Sequence, residues 1–468
     1  MDELLEKNQL HEALITGCTS EGQGVTRIGG RVVFVKGALP GEECRIRILK
    51  AGKTAVYARI EELLQTSPQR VEPDCPCYGR CGGCDFRHAS YQEELRLKLE
   101  RVNDAFRRIG GLELRAKSIL PAPEPDRYRA KAIFNVGEDR EGKPVTGFFR
   151  ARSHEVIPVD DCLLQEPEAN RAAAVLRRWM ADQRIPVYRE ESGTGLIRHL
   201  FVRSGMVCVV AAGKPRSAAQ LISDLRRELP ELRSVVWNEN HSRGNTVLAG
   251  EFTVLWGEDR VEVSLLGLRF RLSPRSFFQV NPAQAERLYA LATELAGLTG
   301  GERVVDLYCG TGAIGLLAAS RAAEVTGVEV VQAAVEDAKR TAEENGIGNA
   351  RFICADAAEA AARFAAEGMK PDVLFVDPPR KGLAPEVIGS ITVMGPGRVV
   401  YVSCDPATLA RDLKLFQENG FRAEKAFAVD MFPRTRHVET VCCLYHQKKD
   451  FISVPFEPKN ADYLSHMK

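Results

Sequence analysis

The stretch Val304-Val-Asp-Leu-Tyr-Cys-Gly-Thr-Gly-Ala-Ile-Gly315 reads as an apolar strand, a glycine-rich turn and the start of a helix. Gly310, Gly312 and Gly315 fit G-x-G-x-x-G, a spacing that lets a tight turn bring backbone close to a ligand. Alone, that pattern is weak. Asp306 in the strand before the turn sharpens it, and so does Glu329, which closes the next apolar run, Val325-Thr-Gly-Val-Glu. A carboxylate there can accept hydrogen bonds from ribose hydroxyls. The expected ligand is either a dinucleotide or S-adenosylmethionine.

The next strands separate the two. Asp356 ends an apparent third strand, Arg351-Phe-Ile-Cys-Ala-Asp, and Asp377-Pro378-Pro379 ends a fourth that begins at Val373. Ligands of open α/β sheets sit at this carboxyl edge. An acid followed by two prolines makes a rigid, non-helical lip, useful for holding a planar base beside a methyl donor. A dehydrogenase has no evident use for it. The reading is therefore a Rossmann-like α/β domain that takes S-adenosylmethionine.

A fifth strand, Val399-Val-Tyr-Val-Ser-Cys-Asp-Pro406, ends in Cys404 on the same rim. Cys442 and Cys443, in an apolar strand, read as buried core. Cys404 differs, because it would face both cofactor and substrate. Carbon 5 of a pyrimidine is a weak nucleophile, and thiolate addition at carbon 6 activates it. The carbon 5 proton must then leave, which needs a base. Glu439, in Arg436-His-Val-Glu-Thr440, is the expected base and His437 its local rival.

The rest of the chain is bounded by simple counts. Its 468 residues suggest about three domains. Lys plus Arg number 64 and Asp plus Glu 63, so neither a polybasic tail protein nor an acidic disordered chain is expected. No apolar run approaches a membrane span, and the charged start Met1-Asp-Glu-Leu-Leu-Glu-Lys-Asn8 lacks a signal core, so a cytoplasmic protein is expected. Thirteen cysteines in such a chain argue against disulfides. Short strands at 31–35, 44–48 and 55–60 predict a small N-terminal β-barrel. Between Gln23 and Arg59 stand eight basic residues and two acids, an expected footprint for a phosphate backbone. Tyr91, Leu95, Leu99, Val102, Phe106 and Ile109 step at helical spacing and predict a packed helix over 91–109. Between them, Cys75, Cys81 and Cys84 form C-x5-C-x2-C, with Cys77 a spare thiol. Three thiolates so placed suit zinc or an iron–sulfur cluster, and a fourth ligand is required. The expected divisions are 1–65 barrel, 66–270 central α+β domain carrying the cysteines, 271–446 catalytic domain and 447–468 tail. Arg129 and Lys131 are candidate nucleic-acid contacts.

Taken together, S-F-F-Q-V-N from Ser276 to Asn281, D-L-Y-C-G-T-G, D-P-P-R, S-C-D-P-x-T-L-x-R-D from Ser403 to Asp412, and H-V-E-T resemble the RNA uracil-5-methyltransferases, in particular the 23S ribosomal RNA enzymes with a TRAM domain. The resemblance spans about residues 10 to 445. It implies Cys404 as nucleophile, Glu439 as proton acceptor, and Gln279, Tyr308, Glu329, Asp356 and Asp377 as cofactor contacts. It implies Cys162 as the fourth thiolate of a 4Fe-4S cluster, and RNA as partner without an obligatory protein partner. Phe277 lies where an aromatic could stack on the target base. Family members often carry Asn where this chain has Ala313, so a side-chain contact there is in doubt. A transfer-RNA uracil methyltransferase, a cytosine-5 enzyme and a non-catalytic RNA-binding iron–sulfur protein are the alternatives.

Overall fold

The computed structural model describes residues 5–215, 217–244 and 246–447. The tail expected from 447 therefore lies, past its first residue, outside the described residues. Among these no helix is long and apolar enough to cross a membrane.

The quoted motifs sit on one edge of an eight-stranded sheet. Its parallel part runs Ala350–Cys354, Glu324–Glu329, Arg303–Leu307, Val373–Val376 and Arg398–Ser403. These strands are almost wholly apolar because helices cover both faces, as parallel sheets require. Glu439–His446 then joins antiparallel to Arg398–Ser403, Phe421–Val429 pairs with it, and Ile119–Leu120 adds a short parallel edge. Cys442 and Cys443 are fully buried here, as expected.

That last strand brings a distant part of the chain into the catalytic core. The helix Tyr91–Ala105 starts on a Ser90 cap, whose side chain accepts from the Glu93 N–H. Leu95, Val102 and Phe106 pack against Leu374, Val399 and Leu413 of the catalytic layers. The expected stripe fails only at its end. Residues Phe106–Gly110 form a wider π-turn, which rotates the register, and Ile109 stands 49% exposed.

A seven-stranded sheet fills the middle of the chain, in the order Val156–Pro158, Pro144–Phe149, Lys131–Glu138, Ile197–Arg203, Met206–Ala211, Ser234–Glu239 and Glu251–Gly257. The helices Pro167–Asp182 and Ala218–Glu228 cover one face, with Trp179 and Trp237 buried between.

The N-terminal segment is a six-stranded sheet wrapped around Val33, Val35, Ile46, Ile48 and Val56. Its basic face is not the free footprint that charge counting suggests. Arg45 pairs with Glu12 at 2.9 Å and also with Glu62, while Arg47 pairs with Glu61 at 2.8 Å and Arg59 reaches the same acid. These acids come from neighbouring strands and lie outside the basic window, which is why a local count misses them.

A candidate active site at the carboxyl edge

The cofactor turn is built by its own hydrogen bonds. Asp306 Oδ2 accepts the Gly315 N–H at 2.9 Å, and Glu329 Oε2 accepts the Gly310 N–H at 3.1 Å. Gly312 has φ +82°, and a Cβ there would stand 2.9 Å from the Phe352 ring. Tyr308 adopts φ +65°, an uncommon conformation for a non-glycine residue that aims its ring at the rim. Glu329 Oε1 also accepts the Val331 N–H at 2.9 Å. A carboxylate has further lone pairs, so ribose hydroxyls can still bind it. Asp356 caps the helix Ala357–Ala366 through Oδ1.

All seven residues expected at this site line one cavity of about 1190 Å³: Gln279, Tyr308, Glu329, Asp356, Asp377, Cys404 and Glu439. Phe277 and His437 line it too. Strand register explains how Cys404 meets Glu439. Ser403 and Thr440 are the last paired residues of neighbouring antiparallel strands. Cys404 follows Ser403 and Glu439, still paired with Val429 on its other side, precedes Thr440, so the two stand opposite each other where this pairing ends.

The cavity is acidic, with Asp306, Asp377 and Glu439 all lining it. Burial pushes Asp377 up to about 7. Burial and Asp377 push Glu439 up to about 8, against the pull of Arg380. Burial, Asp377 and Glu329 push Asp306 up to about 8, although the Gly315 N–H opposes this. Its Oδ1 is buried with no hydrogen-bond partner. The Cys404 thiol is pushed up to about 11, first by burial and then by Glu439 and Asp377. His437 moves the other way, to about 4, through burial and the neighbouring Arg380.

Two residues without any assigned role in the sequence also enter the cavity. Tyr289, inside the apolar helix Pro282–Ala296, hydrogen-bonds Gln279. Its position looks like ordinary core spacing, so no signal marks it. Arg380 closes the D-P-P-R motif and lies beside His437, 3.3 Å from Nδ1.

The cysteines form a second site. Cys75, Cys81, Cys84 and Cys162 line a separate cavity of about 280 Å³. The Gly83 N–H points at Cys81 Sγ, 3.4 Å away, and Cys77 turns aside to the Pro158 carbonyl. Burial raises the Cys81 thiol to about 11 and Cys84 to about 12. Among the described residues no group of three or more His, Cys, Asp or Glu is drawn close enough to hold a metal as it stands.

Comparison with known proteins identifies the family. A family model described as tRNA (uracil-5-)-methyltransferase matches residues 253–448, and a TRAM domain model matches 5–60. A Clostridium tetani protein named as an uncharacterized RNA methyltransferase is 38% identical over 95% of this chain and 98% of its own. A similarly named protein of Caldanaerobacter subterraneus is 42% identical over 92% and 97%. The chain belongs to the RNA uracil-5-methyltransferase family. Its methyl donor is S-adenosylmethionine. The crystal structure of the Pyrococcus abyssi tRNA (uracil-54, C5)-methyltransferase with S-adenosyl-L-homocysteine superposes at a TM-score of 0.75, with 27% identity over 93% of this chain and all of that one.

The raised carboxyls of this methyltransferase have a measurable consequence. An acid whose folded value lies above its unfolded value of 3.8 loses stability as pH rises between the two. Asp377→Asn should therefore stabilise the ligand-free protein increasingly from pH 3.8 to about 7, and level off above that. The slope should be about 1.4 kcal/mol per pH unit at most. Thermal melts of both proteins across this range would show it, and parallel melts would contradict it.

Proposed function

We propose that this enzyme methylates a uridine of ribosomal RNA at carbon 5 through a covalent bond between Cys404 and the pyrimidine. The observation that carries this reading is the opposition of Cys404 and Glu439 at the ends of two paired strands, inside the cavity that holds Asp377, Tyr308 and Glu329. The target base is turned out of its stack into that cavity. S-adenosylmethionine, when bound, supplies an electrophilic methyl on a sulfonium. The Cys404 thiolate adds to carbon 6, which makes carbon 5 nucleophilic toward that methyl. Glu439 takes the carbon 5 proton, and Cys404 leaves as the ring double bond re-forms. Of the two candidate bases, Glu439 at about 8 is far more basic than His437 at about 4. Gln279, Tyr308, Glu329, Asp356 and Asp377 act as the cofactor contacts.

Cys75, Cys81, Cys84 and Cys162 hold a 4Fe-4S cluster in this reading. The donor set fits: of five thiols on one small cavity, Cys77 is engaged by the Pro158 carbonyl, which leaves four, one of them facing a peptide N–H. Loading a metal on these thiols would release their protons. The cluster's task is structural, since methyl transfer to carbon 5 moves no net electrons. It braces the loop whose Asp85 and Phe86 N–H groups bond the Arg434 carbonyl, next to His437 and Glu439.

A second reading has its own support. The Pyrococcus abyssi structure that spans nearly the whole chain is named for transfer RNA, and so is the family model. Transfer RNA is therefore the alternative substrate.

Three outcomes test these proposals. Glu439→Gln should accumulate a denaturant-stable RNA adduct that Cys404→Ala abolishes, and wild-type turnover should rise as pH passes upward through about 8. Full methylation by Cys404→Ala would refute the nucleophile. Nucleoside mapping of both RNA classes from a deletion strain should show 5-methyluridine missing from ribosomal RNA alone, whereas loss from transfer RNA selects the second reading. Anaerobically purified protein should carry about four irons, lost in Cys84→Ser, and stoichiometric zinc in their place would overturn the cluster.

A further inference from the structure

Three arginines of the N-terminal sheet, Arg45, Arg47 and Arg59, have acidic partners, whereas a group of cations beside the catalytic mouth has none among the described residues. Lys131 and Arg203 are direct cross-strand neighbours on the antiparallel strands Lys131–Glu138 and Ile197–Arg203. Like charges in that relation repel each other. Arg203 is only 4% exposed and gives its guanidinium N–H groups to the carbonyls of Ser273, at 3.2 Å, and Ser276, at 2.8 Å. Arg129 precedes Lys131 by two residues, and its Nε is buried without an acceptor. Among the described residues no carboxylate forms an ion pair with any of the three, and the charges that act on Lys131 are those of Arg203 and Arg129.

The cluster has a defined place. Ser273 and Ser276 belong to the loop that ends in Phe277 and Gln279, and all four line the catalytic cavity. Lys131 Nζ lies 5.9 Å from the Phe277 ring centroid, and Phe277 is 64% exposed. Burial and the two arginines lower Lys131 to about 8, so it still carries its charge at neutral pH. Half-buried Lys131 set directly across from buried Arg203, with no carboxylate between them, carries a standing repulsion. An anion arriving at the mouth relieves it.

We propose that Lys131, backed by Arg203 and Arg129, is the seat of an RNA backbone phosphate adjoining the flipped uridine. This deepens the RNA reading above and places the electrostatic grip at the catalytic mouth rather than on the basic face of the N-terminal sheet. The charge of Lys131 is spent on the polyanion, while Arg203 also anchors the loop that presents Phe277.

The test uses the full-length protein and a synthetic uridine-containing RNA stem–loop, with affinity measured across a salt series. Each phosphate contact contributes roughly 0.7–0.9 to the slope of log affinity against log salt. Lys131→Met should weaken binding several-fold at low salt and flatten the slope by about that amount, while Lys131→Arg restores both. Arg47→Met, which removes an arginine already held by Glu61, should leave the slope unchanged. Lys131→Met should also raise the melting temperature of the RNA-free protein, because the repulsion is gone. A lysine with only a structural task would lower it. An unchanged salt slope in Lys131→Met, or a slope that falls instead in Arg47→Met, would overturn the proposal. Binding is read without turnover, so failure here is separable from failure of the covalent mechanism.

Discussion

One buried ammonium joins the N-terminal half of the chain to the catalytic rim. Lys98 Nζ lies 2.6 Å from Glu94 Oε1, 2.6 Å from Asp430 Oδ1 and 3.1 Å from the Phe432 carbonyl. All three side chains are 1% exposed or less. Glu94 also accepts the Arg434 N–H, and Asp430 accepts the Tyr91 hydroxyl. Removing one partner from such a set strands a charge in the interior and costs about 3–5 kcal/mol. The loop from Asp430 to His437 is thereby clamped onto the helix Tyr91–Ala105, and Glu439 starts the strand that follows it. The cysteine loop grips the same segment, since Asp85 accepts the Arg436 N–H. Both elements fix where this loop lies before Glu439.

The second constraint is electrostatic. Asp306, Asp377 and Glu439 crowd one cavity, and each is pushed upward by burial, two of them also by another acid. A sulfonium entering that space supplies the missing positive charge, so cofactor binding and ionisation of these groups favour each other. The product that remains after methyl transfer is neutral at sulfur and loses this attraction.

The sequence exposes this rim well because its signals are local. A strand, a glycine turn and an acid at each strand end can be read within a dozen residues, and they converge in one cavity. What escapes is set by partners far along the chain. Glu94 and Lys98 stand four apart on a helix, the usual mark of an exposed ion pair, and only the arrival of Asp430 makes them interior. Tyr289 is hidden for a different reason, since its helical spacing matches a core position and its bond to nearby Gln279 depends on how the preceding loop folds back. The π-turn at Phe106–Gly110 turns Ile109 outward although its spacing continues the apolar stripe.

Charge shows the same limit more sharply. A chain of net charge +1 must hold a polyanion through local imbalance, and the densest basic window is the natural place to look. Density is the wrong measure. Arg45 and Arg47 lie on a strand whose neighbours bring Glu12, Glu61 and Glu62 across to them, and Arg59 shares Glu61 from its own strand, so those three charges are already partly spent. Lys131 and Arg203 are far apart along the chain and are made adjacent by strand register. Pairing decides which positive charges remain available, and pairing is a property of the folded sheet.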